Sequence, residues 1–392
     1  MKIMVLGSGL MGPAAAWNAL RDPAVEQVFL CDKDPLALQR AQARLAAITD
    51  IGRLSPVAFD LENTALAVQT MAEADVILAA LPLAAIPTGL RASALAGKPW
   101  VDLMWFPVEQ LDELRRMVKD AGILAIFGCG VEPGLTEILA RFIAGRLSSV
   151  EELHIKCGGI PATPSGPLQY KIVFGGTRLP LHEQDGFAVE EGKLISSPRY
   201  GGVERFAVEG VGEVEAWNEN FMPWLLDLRE FKGLQTGTQK TVRWPGYAHK
   251  VTVLKDLGLL STETVRVGEL EVIPKHVVDA VLSPHVTLED GEPDITIFRI
   301  DITGKRKGRS RHYTLEMVDR YDPATGFTSM ARTTSFTGMI IARMVARGEI
   351  REKGLITPER VITGKLLQRL LKELAANNIR FELRSQRERF LA

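Results

Sequence analysis

Residues Lys2–Leu20 read KIMVLGSGLMGPAAAWNAL, and this stretch decides the fold class. An apolar run leads into three glycines, and an alanine-rich segment with helical character follows them. Gly7 lets the chain leave a strand in a tight turn, Gly9 lets the backbone approach a pyrophosphate, and Gly12 lets a helix pack against a sheet. That helix directs its unpaired N–H groups at the phosphates. The pattern therefore predicts a dinucleotide-binding strand–turn–helix.

An acidic residue strengthens this interpretation, because a GxGxxG pattern alone also arises as an accidental glycine cluster. A second apolar run, Gln27–Cys31, ends at Asp32, about twenty residues beyond Gly12. A carboxylate there can accept hydrogen bonds from both ribose hydroxyls and would repel a 2′-phosphate, so NAD is the expected cofactor. Lys33 follows directly and leaves NADP open. The alternative for Asp32 is a loop aspartate with no ligand.

Four more short apolar runs, near 54–58, 75–79, 99–102 and 123–127, alternate with helix-like segments. Alternation of this kind predicts an α/β, Rossmann-type parallel sheet domain. Ligands bind beyond the carboxyl ends of such strands, so the turns after strands three, four and five are expected to face the cofactor. A purely structural role for each turn remains open. The predicted cofactor-binding residues are Gly7, Ser8, Gly9, Leu10, Met11, Gly12, Asp32, Lys33, Asp60, Leu81, Pro82, Asp102 and Leu103.

Beyond residue 134 the pattern changes. A helix-like stretch over 135–145 precedes segments near 153–157, 170–174, 251–254, 294–303 and 312–320, whose alternation predicts a mostly antiparallel sheet in an α+β domain. Gly304–Arg311 reads as a hairpin with a basic tip, which we interpret as solvated because no aromatic residues accompany the charge. Two helices are expected in the tail, one capped within 333–335 and one over 358–377. The predicted domains are 1–134, completed by C-terminal helices in 331–392, and 135–330 for the substrate.

Composition limits the partners. The 392 residues carry 47 basic and 48 acidic side chains, so the formal net charge of −1 favours neither nucleic acid nor an anionic membrane as partner. The three cysteines form no CxxC pair and are odd in number, which argues against a disulfide framework and a structural metal site. No uncharged apolar stretch reaches the roughly 18 residues of a membrane span. A cytoplasmic location is therefore expected.

Six motifs in order carry a family resemblance. They are GSGLMG at 7–12, CGVEPGL at 129–135, CGGIP at 157–161, PLQYKIVF at 167–174, RWPG at 243–246 and SMARTTSF at 329–336. This set resembles the saccharopine dehydrogenase-like oxidoreductases, and within that group it is most similar to the lysine 6-dehydrogenases. The resemblance implies NAD-dependent oxidative deamination of L-lysine at its 6-amino group to allysine, which cyclises to piperideine-6-carboxylate. It also implies a small-molecule amino-acid substrate and a homo-oligomer, a dimer or a tetramer.

The chain departs from the family pattern at three places that are expected to face the substrate. His182-Glu183 replaces a usual Glu-Tyr pair, Tyr247 replaces a usual His after RWPG, and Leu103–Pro107 lacks the usual small residues. Two other activities therefore stay open. One is a saccharopine or carboxy-polyamine dehydrogenase acting on a secondary amine, and the other is a non-catalytic NAD-binding sensor.

Four residues are the catalytic candidates. Glu132 follows the sixth predicted strand and can accept a proton, or it is a loop acid satisfied by backbone N–H groups. Lys171 can act as a base if it is desolvated, or it is a strand-edge lysine in solvent, and only one of Tyr170 and Lys171 can point inward. Arg243 can hold a substrate carboxylate in a bidentate pair. Tyr247, or else His182, can take the place of the family's own His or Tyr.

Overall fold

The structure is a computed structural model, and it describes residues 1–105, 110–174 and 179–386. The chain divides into two compact units, one of Met1–Ile138 with Asp322–Ile379 and one of Leu139–Tyr321 with Arg380–Ala392. The helices, in chain order, are α1 Gly12–Leu20, α2 Pro35–Ala46, α3 Thr64–Met71, α4 Ile86–Leu95, α5 Leu111–Ala121, α6 Leu135–Ala144, α7 Tyr247–Asp256, α8 Pro274–Val286, α9 Ser329–Ala346, α10 Pro358–Val361 and α11 Gly364–Ala376.

The strands, in the same order, are β1 Lys2–Leu6, β2 Gln27–Asp32, β3 Leu54–Ala58, β4 Val76–Ala79, β5 Trp100–Asp102, β6 Leu124–Ile126, β7 Ser149–Pro161, β8 Gly186–Glu190, β9 Lys193–Ser197, β10 Glu204–Val208, β11 Gly212–Asn218, β12 Thr236–Arg243, β13 Val265–Val267, β14 Leu270–Val272, β15 Asp294–Arg306, β16 Arg309–Arg320, β17 Gly354–Ile356 and β18 Glu382–Gln386.

The first unit is built on a seven-stranded sheet in the order β17-β6-β5-β4-β1-β2-β3, and all of its pairs are parallel. The Rossmann-type fold class and the six predicted strands are confirmed. Strand β4 is buried along its whole length because helices cover both faces of such a sheet. The seventh strand, β17, comes from the tail of the chain. It has only three residues, too few to show the alternation that predicts a strand.

Helix α9 packs against α1 and is buried along almost its whole length. Its cap is Thr328, whose side chain accepts a hydrogen bond from Ala331 N, so the prediction of a cap at 333–335 is wrong. Those residues lie within the helix, where the Ser335 hydroxyl donates to Met11 O at 2.8 Å. The single helix predicted over 358–377 is instead divided into α10 and α11.

The second unit contains a nine-stranded sheet with the path β10-β11-β12-β7-β15-β16-β18, to which β8 and β9 are attached through β12. Among the described strands of this sheet, β12 and β7 alone pair in parallel, so the predicted mostly antiparallel sheet is confirmed. The predicted hairpin is also present, and Lys307 and Gly308 form its turn with φ of 51° and 73°. Positive φ at both turn positions matches the right-handed twist of the two strands.

Three expectations for the second unit are wrong. Residues 170–174 form no strand, and only Ile172 makes an isolated bridge, to Thr287. Residues 251–254 lie in α7, because a short segment rich in Val and Leu does not distinguish a strand from a helix turn. Residues 382–386 form β18 beside β16, so this part of the tail belongs to the second sheet and does not complete the Rossmann-type unit.

Among the described residues there is neither a helix that could span a membrane nor a cluster that could hold a metal ion. No helix there has both the length and the apolar character that a membrane span needs. In the same ranges, no group of three or more His, Cys, Asp and Glu side chains is placed to hold a metal ion. The three cysteines, Cys31, Cys129 and Cys157, are free thiols in the interior.

Candidate functional site

The glycine turn joins β1 to α1, and its three glycines differ in what surrounds them. Gly7 has φ +96°, and a Cβ there would lie 2.4 Å from Ala80 O. A Cβ on Gly12 would lie 1.8 Å from Gly7 O, whereas a Cβ on Gly9 would meet no atom within 4 Å. Gly7 and Gly12 are therefore required by the fold itself. Gly9 instead borders open space, which is the arrangement that close approach of a pyrophosphate requires.

Helix α1 begins at Gly12 with Met11 at its N-cap, and no side chain caps its first turn. Uncapped N–H groups and the positive end of the helix dipole favour an anion at this point. The turn therefore fits the phosphates of a dinucleotide. Leu10, which is 40% exposed, lies beside the open side of Gly9.

Asp32 ends β2 and is tied to the glycine turn. Its Oδ2 accepts hydrogen bonds from Ser8 N at 2.7 Å and from the Ser8 hydroxyl at 2.8 Å, and its Oδ1 accepts one from Asp34 N at 3.0 Å. A carboxylate has about four acceptor positions, so capacity remains for a ribose hydroxyl. Lys33 is exposed beside it. The contacts of Asp32 and Lys33 with the cofactor stay predictions.

Asp102 and Leu103 do not line an open surface, and the prediction that they contact the cofactor is corrected. Asp102 has no exposed surface, and its carboxylate accepts from Trp100 Nε1 at 2.9 Å and from Met104 N at 2.8 Å. Burial raises the pKa of Asp102 to about 7. Leu103 is 5% exposed and packs on Gly338. Both residues stabilise the turn after β5. This is the purely structural role that the sequence left open for them.

The other predicted cofactor residues remain accessible. Asp60 and Pro82 are exposed and Leu81 is half-buried, so their contacts with a nucleotide stay predictions. In the segment that departs from the family pattern, Met104 is 37% exposed, while Phe106 and Pro107 lie outside the described residues.

Glu132 lies in the short loop between β6 and α6 and is half-buried. The loop closes on itself, since Gly130 N donates to Pro133 O at 2.9 Å and Leu135 N donates to Gly130 O at 3.0 Å. The role of Glu132 stays a prediction. The sequence interpretation missed a second buried carboxyl in this unit, Glu359, whose pKa is raised to about 7 by burial and by the neighbouring Glu137.

In the second unit, five side chains form what we call the aromatic–arginine cluster: Tyr170, Tyr200, Trp217, Arg243 and Tyr247. The Arg243 guanidinium carbon lies 4.7 Å from the centre of the Tyr170 ring and 5.7 Å from that of Tyr247. The Trp217 and Tyr247 rings stack at 6.2 Å, and Tyr200 lies 4.6 Å from Trp217. All five side chains are buried. The structure therefore brings together Arg243 and Tyr247, two of the four catalytic candidates.

Three donors of this cluster lack an acceptor within the described ranges: the Tyr170 hydroxyl, Trp217 Nε1 and Arg243 Nε. Arg243 does use Nη1, which donates to Val242 O at 2.7 Å and to Gly159 O at 3.4 Å. Protein interiors leave very few polar atoms without a partner. Three such donors in one cluster, with no acceptor among the described residues, make the cluster a candidate for binding a ligand that accepts hydrogen bonds.

The structure also defines the surroundings of Tyr247 and Lys171. Tyr247 is 1% exposed and is held between Trp217 and Tyr170, and burial raises the pKa of its hydroxyl despite the nearby Arg243. Its ring therefore forms one wall of the cluster, and its catalytic role stays a prediction. Lys171 donates to Thr287 O at 3.0 Å and lies 3.4 Å from Glu292 Oε2, whereas Tyr170 points into the cluster. In this structure Lys171 is therefore an ion-paired side chain, and its role as a base stays a prediction.

His182 borders the cluster, because its backbone N–H donates to the Tyr200 hydroxyl at 2.8 Å. Burial lowers the pKa of its imidazole to about 4, with help from Arg199 and Lys275. Arg199 pairs with Glu219, and burial raises the pKa of that carboxyl. The sequence interpretation missed Tyr200, Trp217 and this pair, since they come from separate strands and loops and have no common spacing.

The comparisons with known proteins agree with this architecture. The family model described as the saccharopine dehydrogenase C-terminal domain matches residues 130–379. The mitochondrial alpha-aminoadipic semialdehyde synthase of Bos taurus is 23% identical over 449 residues, which cover 95% of this chain and 47% of that protein. The NADP(+), L-glutamate-forming saccharopine dehydrogenase of Pyricularia oryzae is 25% identical over 281 residues, which cover 67% of this chain and 58% of that enzyme. The chain thus spans about half the length of these curated relatives.

A solved structure shares the fold. The apo histidine-tagged saccharopine dehydrogenase (L-Glu forming) from Saccharomyces cerevisiae superposes with a TM-score of 0.81 at 16% identity, covering 98% of this chain and 99% of that one. The parallel sheet, the glycine turn and the second, mixed sheet therefore belong to one known fold, which this chain shares with the yeast enzyme. With its family model matching residues 130–379, the chain belongs to the saccharopine dehydrogenase family.

Proposed function

We propose that the chain is an NAD(P)-dependent dehydrogenase that oxidises the carbon–nitrogen bond at an amine-bearing carbon of an amino acid. The first candidate substrate is L-lysine, oxidised at its 6-amino group to allysine. The observation that supports this most directly is the set of unpartnered donors in the aromatic–arginine cluster. Arg, Trp and Tyr donors around one buried point suit a carboxylate, which accepts several hydrogen bonds at once.

In this proposal the cluster binds the substrate's carboxylate. Arg243 Nε, Trp217 Nε1 and the Tyr170 hydroxyl donate to it, and the rings of Trp217 and Tyr247 form the apolar wall. Burial strengthens the attraction between guanidinium and carboxylate, because the surrounding medium screens charge far less than water does. The site therefore selects molecules with a free carboxylate, as amino acids have.

The glycine turn is the proposed dinucleotide site, and the bound nicotinamide supplies the hydride acceptor. We propose NAD as the preferred form, since Asp32 lies where a 2′-phosphate would be repelled. The exposed Lys33 beside it is the feature that favours NADP, the form named for the Pyricularia relative.

A proton acceptor is also required, because the amine must be neutral before its carbon is oxidised and water must then attack the imine. We assign this role to Glu132, which follows β6 at the carboxyl end of the parallel sheet, the edge where ligands bind in such folds. Lys171 is not the acceptor in this proposal, because it is paired with Glu292.

The second candidate is oxidation of a secondary amine such as saccharopine, which the name of the Pyricularia relative favours. Carboxy-polyamines belong to the same chemical class. A non-catalytic NAD-binding sensor is the remaining alternative from the sequence.

Steady-state formation of reduced nicotinamide tests the proposal, with NAD or NADP and with L-lysine, saccharopine or a carboxy-polyamine as substrate. We expect turnover with one of these amines. Arg243→Lys should raise KM at least about tenfold by losing the fork geometry, while Arg205→Lys, an exposed arginine of β10, serves as the matched control. An unchanged KM in Arg243→Lys contradicts the carboxylate site. Tight coenzyme binding without turnover of any amine favours the sensor.

A further inference from the structure

A cavity of about 450 Å³, open to solvent, lies in the first unit at the end of α1 away from the glycine turn, and Arg21 is exposed at its edge. It is bordered by the ends of α1, α2 and α11 and by the segment that precedes α9. Its lining includes the side chains of Trp17, Arg21, Thr49, Asp322, Arg332 and Asn377. A water molecule takes about 30 Å³ in the liquid, so the space is large enough for an organic molecule.

The charges that line this cavity are unbalanced. Two guanidinium groups, Arg21 and Arg332, face one carboxylate, Asp322. Asp322 Oδ2 already accepts from Arg332 Nη1 at 3.1 Å and from the Thr325 hydroxyl at 2.7 Å. Arg21 forms no ion pair with any residue in the described ranges, and the carboxylate of the adjacent Asp22 pairs with Arg343 and Arg347 instead. The lining therefore carries a net positive charge that favours an anion.

Arg21 is also held in place. Its guanidinium carbon lies 4.6 Å from the centre of the Trp17 ring, and its Nη1 donates to Asn377 Oδ1 at 2.8 Å. Trp17 is fixed in turn by stacking on Phe336 at 5.5 Å. A guanidinium anchored on two sides loses little further freedom on binding, and its remaining N–H groups suit a carboxylate or phosphate.

The cavity is connected to the glycine turn through two helices. Arg332 and Ser335 lie one turn apart on α9, and the Ser335 hydroxyl donates to Met11 O in the turn. Trp17 lies on α1, whose first residue is Gly12. A ligand that shifts either helix end therefore acts on the segment that we propose binds the dinucleotide.

We propose that this cavity is a second binding site, for an organic anion that presents a carboxylate or a phosphate to Arg21. Occupation of the site changes the affinity of the glycine turn for the coenzyme. The binding claim does not depend on the proposed catalytic function, whereas the coupling claim rests on coenzyme binding at the glycine turn.

Isothermal titration of the full chain with citrate and with ribose 5-phosphate tests the site, with saturating NADH or NADPH to occupy the turn. We expect at least one anion to bind and neutral ribose not to bind. Arg21→Gln should weaken that binding at least about tenfold, while Arg40→Gln, an exposed arginine of α2, should leave it unchanged. No heat from either anion, or equal affinity in Arg21→Gln and the wild type, overturns the site.

A second variant keeps the test valid if Arg21→Gln folds poorly. Ala324→Phe fills the cavity from its exposed side and leaves both arginines in place, so anion binding should again be lost. The coupling is measured as the coenzyme Kd with and without the anion, and a severalfold change is expected. If the wild-type chain binds the anion but its coenzyme Kd does not change, the coupling is overturned and the binding site is not. Failure of amine oxidation would affect neither the anion-binding result nor the coupling result.

Discussion

Two alanine substitutions in the glycine turn distinguish a glycine that the fold requires from one that the proposed cofactor site requires. In Gly12→Ala the new methyl group would lie 1.8 Å from Gly7 O and 2.9 Å from Gly7 C. In Gly9→Ala it would meet no atom within 4 Å. The two variants carry the same chemical change three residues apart, so any difference between them comes from their surroundings.

The expected magnitudes follow from these distances. A carbon–oxygen contact normally has a length of about 3.3–3.6 Å, so Gly12→Ala forces the turn open by about 1.5 Å. Overpacking of this kind lowers the free energy of unfolding by about 3 kcal/mol. Gly9→Ala should change that free energy by less than about 0.5 kcal/mol, as open surface positions do. Its methyl group would occupy the space that we propose for the pyrophosphate, so we expect dinucleotide affinity to fall about 10- to 100-fold.

Urea unfolding and fluorescence titration with NADH and NADPH measure the two effects separately. Gly145→Ala is a matched control, because its Cβ would make an ordinary 3.5 Å contact with Arg141 O. Wild-type dinucleotide affinity in Gly9→Ala would refute the pyrophosphate site. Wild-type stability in Gly12→Ala would refute the described packing of α1 on the turn.

Three further predictions concern buried or half-buried carboxyls. Burial raises the pKa of Glu359 from 4.5 to about 7, so its proton stabilises the folded state at low pH and the free energy of unfolding falls as pH rises between these values. Glu359→Gln should remove a fall of about 3 kcal/mol between pH 4.5 and pH 8, and an unchanged slope would contradict this. Asp301 has a lowered pKa because Arg299 and Thr314 donate to it, so its stabilisation is present at neutral pH and is lost as pH falls. Asp301→Asn should cost about 3 kcal/mol at pH 7 in urea unfolding and much less at pH 3, and equal losses at both would refute the ionic origin. Asp32→Ala should weaken NADH more than NADPH in the same titration, whereas equal losses would point to the Ser8 contacts alone.

Local features of the sequence determined the Rossmann-type sheet and the glycine turn. Each apolar run of β1, β2 and β4 is bounded by its own turn residues, and Gly7, Gly9 and Gly12 lie within six residues of one another. Such signals depend on neighbours along the chain, so they can be read without a structure. The hairpin around Lys307 and Gly308 could be predicted for the same reason.

Tertiary structure alone decided which side chains meet. Tyr170, Trp217 and Arg243 come from a loop and two strands far apart in sequence, and packing brings their unpartnered donors to one place. Asp102 lies at the end of a strand, where ligand-contacting residues are expected. Its burial and its hydrogen bond from Trp100 instead give it a structural role. Burial and long-range contacts leave no local pattern in the sequence. The motifs therefore identified the proposed cofactor turn, while the folded chain was needed to find the proposed substrate cluster and the proposed anion site.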